Sequence, residues 1–510
     1  MNYADLFRVT LPETALEVAA LVVLVVDLGL LRKAALKMRV IVAALLGVAG
    51  CGAALWGISV QAGDGFCVDG WLVLAIGGGS AVAQIGILVL TAITLLLLID
   101  SDFTRNVGEF AAVVLMAAAG GLIVASAQDL LVIFVGLELL SLGLYILTAF
   151  AKKSGKSAEA AMKYYLFGGM SAAFLLFGFS YLYGLSGSTN LFKVTSGVFA
   201  ASILGASPLL YLALVMIAVG LGFKIAAVPF HLWAPDAYEG APTPAAAFIA
   251  SVSKVASFAL LISVSTALLN GSFPGNHEIG LLMRTHAQLP KYLGAQMPWG
   301  VILFVLSAAS MVVGNLAALA QSSVRRLLAY SAISHAGYIM LGLPFCVWTD
   351  LTAKAILYYI LTYGLTTIGA FGVVSVVERA TGNDRLESFS GLHKRNPHLA
   401  AVLLVLFLSL AGIPPLVGFW AKFNLFAAVL GVSAGPVPFA LVALAVALSA
   451  VSLYYYLQVL KRAYVMPAID ESPIKAHPVT MAVLVGIAAA VVLLGCFPTL
   501  LQGWIESFYR

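Results

Sequence analysis

Residues 220–258 read GLGFKIAAVPFHLWAPDAYEGAPTPAAAFIASVSKVASF. An apolar run carries Lys224, meets Pro229, passes through polar residues, and resumes as a second apolar run that carries Lys254. Proline inside a helix removes one intrahelical hydrogen bond and frees a carbonyl. In hydrocarbon such a break is tolerated only where protein or water satisfies the backbone. The stretch therefore predicts a broken membrane helix followed by an intact one, both lining a polar interior.

The same texture extends in both directions. Of 510 residues, 62% are hydrophobic and only 10% charged, with mean hydropathy +1.05, more apolar surface than a soluble core of this size hides. With Pro, Gly and charged clusters as breaks, spans are predicted near 12–31, 38–58, 77–99, 108–126, 130–150, 160–186, 208–229, 243–270, 298–318, 324–345, 352–378, 398–430, 436–463 and 477–505. The class is an all-α integral membrane protein of about fourteen transmembrane helices. The first run is read as a retained helix, because no small-residue cleavage site follows it. Residues 59–76, cut by Asp64 and Asp69, fit a loop or re-entrant segment as well as a helix. Cys51, Cys67, Cys346 and Cys496 have no CxxC spacing, so neither a cluster nor a zinc site is indicated.

Charge sets the orientation. Alternate loops hold 17 Lys and Arg in one set, over 32–39, 105, 152–156, 325–326, 379–395 and 461–475, against five in the other: Arg8, Lys193, Arg284, Lys291 and Arg510. The positive-inside rule puts the first set in the cytoplasm and both termini on the far side, as expected in a bacterial inner membrane.

The remaining five cations fall within or at the ends of the spans. Such residues normally face a bundle interior or a water-filled cavity, because mid-bilayer charge costs roughly 2.5–3.5 kcal/mol on insertion scales. Lys354, three residues into its helix, fits simple snorkelling. Lys224 lies beside the helix break, Lys254 near the midplane, and Lys422 eight residues after the Pro414–Pro415 pair in SLAGIPPLVGFWAKF. Lys163 sits nearer the cytoplasmic end of its span. Glu138, in DLLVIFVGLELLSLGLYIL, also lies near mid-depth and pairs naturally with Lys224 as one acid–base unit, since a nearby carboxylate changes a lysine's proton affinity. His231 and His335 extend the polar row, with Ser334, Tyr330 and Tyr338 as neighbouring hydroxyls. The bland alternative for His231 is an interfacial structural histidine.

Two broken helices with nearby lysines suggest an internal repeat. One block covers 108–270 (helices 4–8) and the other 298–463 (helices 9–13), after an N-terminal section 1–107 and before a C-terminal section 464–510. The broken helix is the fourth in each block of five. Five is odd, so the second block enters from the opposite side, the inverted-repeat plan of many transporters.

ASAQDLLVIFVGLELLSLGLYIL, the stretch quoted first, RRLLAYSAISHAGYIMLG and LAGIPPLVGFWAKF together resemble the antiporter-like membrane subunits of respiratory complex I, a family shared with multi-subunit cation/proton antiporters and membrane-bound hydrogenases. The resemblance covers about 100–465, and lysine rather than a carboxylate at 422 indicates one branch of the family. It implies Glu138 as modulating carboxylate, Lys224 as broken-helix proton carrier, Lys254 as central relay and Lys422 as terminal carrier, with His231, His335 and Lys163 at secondary positions. It implies no cofactor in this chain; NADH, flavin, iron–sulfur clusters and quinone belong to partner subunits. Expected partners are other membrane-arm subunits, including a neighbouring antiporter-like subunit and small membrane subunits, with lipids and protons but no nucleic acid. A subunit of a multi-subunit Na+/H+ antiporter or membrane-bound hydrogenase and an inert membrane scaffold are the rival functions.

Overall fold

A chain in hydrocarbon must satisfy its own backbone donors and acceptors, and helices do this within one segment. The computed structural model describes residues 3–61, 65–68, 71–75, 77–203, 207–270, 298–433, 435–468 and 470–509. It opens with α1 (Tyr3–Val9) and α2 (Leu11–Val25), the latter continuing through a π turn to Leu30, then α3 (Leu36–Gln61). A two-stranded antiparallel hairpin, β1 (Gly65–Val68) and β2 (Trp71–Ala75), precedes α4 (Gly78–Leu97), α5 (Val107–Ser126), α6 (Leu130–Thr148), α7 (Gly155–Ser186) and the short α8 (Leu191–Ile203). The first broken helix is α9 (Ser207–Ile225) plus α10 (Trp233–Gly240), followed by α11 (Thr243–Asn270). Then come α12 (Pro298–Leu319), α13 (Val324–Met340) and α14 (Asp350–Thr381). The second broken helix is α15 (Pro397–Ala411) plus α16 (Val417–Val432); α17 (Pro436–Tyr464), α18 (Pro478–Cys496) and α19 (Pro498–Ser507) close the chain. Among the described residues, twelve helices are long and apolar enough to cross a membrane, and α15 and α16 are shorter apolar helices.

Several segments sharpen or differ from the sequence expectation. Residues 65–68 and 71–75 pair as two strands, which Gln128 N–H (to Val73 O, 2.8 Å) and Asn190 Nδ2 (to Leu72 O, 2.7 Å) dock onto the α5–α6 and α7–α8 connections. Asp64 and Asp69, like Arg284, Lys291 and Arg510, lie outside the described residues. The helix expected to run to 229 stops at Ile225 and resumes at Trp233, because Ala226 adopts a left-handed φ of 57° and Pro229 lacks an N–H. Trp233 Nε1 donates back to Phe223 O (3.0 Å) and staples the two halves. The span over 398–430 breaks as expected, at Gly412 (φ 87°), whereas the one expected over 477–505 divides at Phe497–Pro498. Helix α8 had no clear signal, being short and only moderately apolar.

The loops sort into two ends. At one end Lys156 pairs with Glu239, Arg326 with Asp236 and Glu239, Arg379 with Asp100, and Arg395 Nε donates to Ser472 O (3.1 Å). Buried Asp27 joins this end through a bidentate pair with Arg39 (2.7 and 2.6 Å). Burial runs opposite to a soluble protein's. The best-buried spans, α11, α13 and α14, carry the buried polar groups, whereas α7 and α17 show apolar faces outward. Bilayer supplies the solvent for the periphery, so the interior is where polar groups belong.

Candidate functional site

Both helix breaks create acceptors, and chain arithmetic says which ones. In a continuous helix the carbonyl of residue i takes the N–H of residue i+4. Proline at 229 therefore frees the carbonyl of Ile225, and prolines at 414 and 415 free those of Leu410 and Ala411. Each of these three carbonyls accepts from a buried lysine. Lys254 Nζ, on the facing helix α11, donates to Ile225 O. Lys422 Nζ, one turn into α16, donates to Leu410 O (3.3 Å) and Ala411 O (3.1 Å), and to Ser449 Oγ on α17 (2.7 Å). Carbonyl oxygens solvate an ammonium well, so the breaks turn a costly orphaned backbone into a seat for a cation. The ammonium also stands 5.3 Å from the centre of the Tyr338 ring.

Lys224, the residue before Ile225, donates from Nζ to Ser141 Oγ, and Ser141 passes its own hydroxyl to Leu137 O. Glu138 shares that face of α6, three residues before Ser141. It makes no direct ion pair with Lys224; it is half-buried and lies within electrostatic reach of the ammonium. Lys224 and Lys254 are thus brought to consecutive residues of one broken helix.

His335 lies in the other half. Its Nδ1 meets Tyr359 Oη at 2.9 Å, its Nε2 faces Tyr456 Oη at 3.4 Å, and Tyr456 bonds Ser331. Its ring centre is 4.8 Å from that of Tyr363. A small cavity lies between His335 and Leu410, bounded by Tyr359, Thr362, Thr366 and Ser409. Its volume, about 10 Å³ for the centre of a water molecule, suits one water. A second chain runs from Tyr455 Oη to Asn315 Oδ1 (3.2 Å) and from Asn315 Nδ2 to Tyr338 Oη (3.0 Å), beneath Lys422. On α11 and α14 the hydroxyls of Ser257 and Tyr358 are buried without a protein partner. Buried hydroxyls pair with water when protein does not serve them.

Two expected residues stand apart from this row. Lys163 is 42% exposed and holds Glu159 and Asp236, both at 2.8 Å, in the ion cluster that Arg326 shares. That cluster anchors α10 to α7 and α13. His231 sits in the break itself with Nδ1 unpaired, and its ring centre is 6.5 Å from that of Tyr330. Ser334 turns its hydroxyl to Ser331 O in its own helix (2.8 Å). Sequence reasoning missed Ser141, Tyr359, Tyr363, Tyr456, Asn315 and Ser449. Ser141 had a usable signal in its i+3 spacing from Glu138, and the freed carbonyls follow from counting back four residues from each proline. The tyrosines had none. Among the described residues, no three His, Cys, Asp or Glu side chains gather as a metal site.

The second break can be tested at one atom. Gly412 holds φ 87°, and a Cβ there would stand 3.1 Å from Lys422 Cδ and 3.2 Å from Nζ. Gly412→Ala is expected to lower stability by about 1–2 kcal/mol from backbone strain, read as a lower melting temperature of the purified protein.

Comparison with known proteins places this geometry. A family model described as "NADH:quinone oxidoreductase/Mrp antiporter, TM" matches residues 127–274 and 276–449. NADH-quinone oxidoreductase subunit N 2 of Acidobacterium capsulatum is 48% identical over 99% of both chains. NADH-quinone oxidoreductase subunit N 1 of Roseiflexus castenholzii is 42% identical over 81% of this chain and 76% of that one. Among solved structures, a chain of respiratory complex I from Thermus thermophilus with bound aureothin superposes with TM-score 0.75 at 34% identity, covering 96% of this chain and 98% of its own. A chain of the Mrp complex from a Dietzia species, at 20% identity and TM-score 0.76, covers 98% of each and shows the shared fold.

Proposed function

Because the chain belongs to the subunit N family of NADH-quinone oxidoreductases, we propose that it is a proton-translocating membrane-arm subunit of such a complex. Protons move along Glu138, Lys224, Lys254, His335 and Lys422 while electrons pass through other subunits. The observation that carries this reading is the seating of Lys254 and Lys422 on carbonyls freed by prolines. A buried ammonium needs acceptors to hold its proton and a neighbouring charge to release it. Glu138 supplies that charge to Lys224: at an effective dielectric of about 20, unit charges interact by about 4 kcal/mol at roughly 4 Å and by less at the longer separation of these two, so the coupling depends on their distance. A signal from the redox subunits that moves Glu138 relative to Lys224 would change which lysine holds the proton. From Lys254 the proton passes by way of buried hydroxyls to His335 and on to Lys422. His231 serves the break and Lys163 the ion cluster at its end.

In this reading the chain holds no redox cofactor; NADH, flavin, iron–sulfur clusters and quinone belong to the partner subunits. The basic-loop end faces the cytoplasm of a bacterial cell and the termini lie on the other side of the inner membrane, in accord with the loop charges. Residues 108–270 and 298–463 are two inverted repeats, a reading supported by a proline-broken helix in each that seats a lysine.

The test uses Lys224→Ala and Glu138→Gln in the assembled complex, with electron transfer and proton uptake measured together. Each removes one charged interaction of about 1.5–3 kcal/mol, so proton transfer through this chain should slow about ten- to a hundredfold with assembly retained. Normal pumping in both variants would leave an inert scaffold as the function. Pumping that requires sodium would favour the antiporter reading.

A further inference from the structure

Outside the lysine row, the most prominent unexplained feature is a groove of about 720 Å³ between α15 and α17 at the basic-loop end. Leu404 and Leu408 form one wall, Tyr454 and Leu457 the other, and Lys461 and Arg462 stand at the mouth. From Tyr454 to Lys461 the helix rises roughly 10 Å, so the apolar part reaches well into one leaflet of a ~30 Å hydrocarbon core while the cations sit at its edge. The mouth is built rather than frayed. Tyr464 stacks on His393 (ring centres 5.8 Å apart, 14° between planes), and His393 Nδ1 meets Ala463 O at 3.1 Å.

Positive charge at this position is explained in part by topology, but topology asks nothing of the groove below it. No carboxylate lines the groove, and among the described residues neither Lys461 nor Arg462 has an ion-pair partner. Asp470, in the following loop, spends both oxygens on Ser472 (2.9 and 2.6 Å). Two unneutralised cations at headgroup level above an apolar slot match one chemistry, a phosphodiester on an acyl chain. A protein partner would need a carboxylate held at the edge of the hydrocarbon, which is the costlier arrangement.

We propose that this groove binds one anionic phospholipid, its phosphate held between Lys461 and Arg462 and an acyl chain lying along Leu404, Leu408 and Leu457. The site is separate from the proton row and does not depend on it.

The experiment places the intact complex in nanodiscs of phosphatidylcholine containing a minor share of phosphatidylglycerol with a photoreactive acyl chain, and maps the crosslinks by peptide. Labelling of 404–408 and 454–466 is expected. A photoreactive phosphatidylcholine with the same chain should label these peptides about tenfold less. Lys461→Gln with Arg462→Gln should bring the glycerol lipid down to that level, and Leu457→Trp, which leaves the charge alone, should also remove the label. Equal labelling by the two lipids overturns the proposal, as does equal competition by inorganic phosphate, or label landing on a neighbouring subunit that covers the groove. Where the double variant fails to assemble, the headgroup comparison on the unaltered complex and Leu457→Trp decide.

Discussion

Lys254→Met in the assembled complex is expected to stop proton transfer through this chain while electron transfer in the complex persists. Lys254 is 2% exposed at the middle of the best-buried helix, and Ile225 O is the acceptor for its Nζ. Methionine fills similar volume without the proton site. The folded state loses a partner for one carbonyl, a cost of about 1–3 kcal/mol, but no longer buries a charge, so net stability should change little. The functional loss is larger. Without an amine between the first break and His335, a proton must cross on water alone in a low-dielectric interior, at several kcal/mol, which corresponds to a slowing of about a thousandfold. Proteoliposomes report it as proton uptake per electron pair, with the electron donor's oxidation as the internal reference. Lys354→Met is the matched control. That ammonium lies at a helix end, 4.9 Å from the centre of the Tyr509 ring, and its removal should leave uptake unchanged. Unchanged uptake in Lys254→Met would take the residue out of the path.

Why the sequence showed as much as it did follows from the solvent. In lipid, apolar runs must be helices, so most spans were legible from length and composition alone. The breaks were legible because Pro229, Pro414 and Pro415 stand in otherwise apolar runs, yet their extent was not. The left-handed residue Ala226 carries no glycine-like signal, and the resumption at Trp233 depends on its indole reaching Phe223 O. Among the candidate residues, depth along a helix could be counted, and Lys224, Lys254 and Lys422 are indeed buried. The direction of a side chain around the helix could not, because helices hydrophobic on all sides lack the periodicity that marks a buried face. Lys163, nearer the end of its span, turns its side chain to Glu159 and Asp236, a direction its position along the helix did not reveal. Tyr359, Tyr363 and Tyr456 were invisible for a related reason. Each joins the site only through contacts between helices far apart in the chain, and tyrosine in a membrane helix is otherwise ordinary.

The prolines supply the sharpest test, because restoring a backbone donor leaves every ionisable group in place. Pro414→Ala with Pro415→Ala returns N–H groups four residues after Leu410 and Ala411. These compete with Lys422 for its two carbonyl acceptors and leave Ser449 Oγ, at 2.7 Å, as its remaining partner. Helix propensity rises, so the protein should fold at least as well. Proton transfer should nevertheless slow about ten- to a hundredfold, since a charge-assisted hydrogen bond contributes about 1.5–3 kcal/mol to holding the proton on that amine. The single variants should rank. Ala411 O is the shorter contact at 3.1 Å, against 3.3 Å for Leu410 O, so Pro415→Ala should be the more damaging. Pro229→Ala makes the parallel case at Ile225 O, where the competing amine is Lys254. A double variant that pumps normally would mean that the prolines are not what keeps the proton on Lys422, Gly412 with its left-handed backbone sufficing to hold the break. A double variant that assembles and passes electrons but does not pump would assign the function of the break to its backbone rather than to the bend.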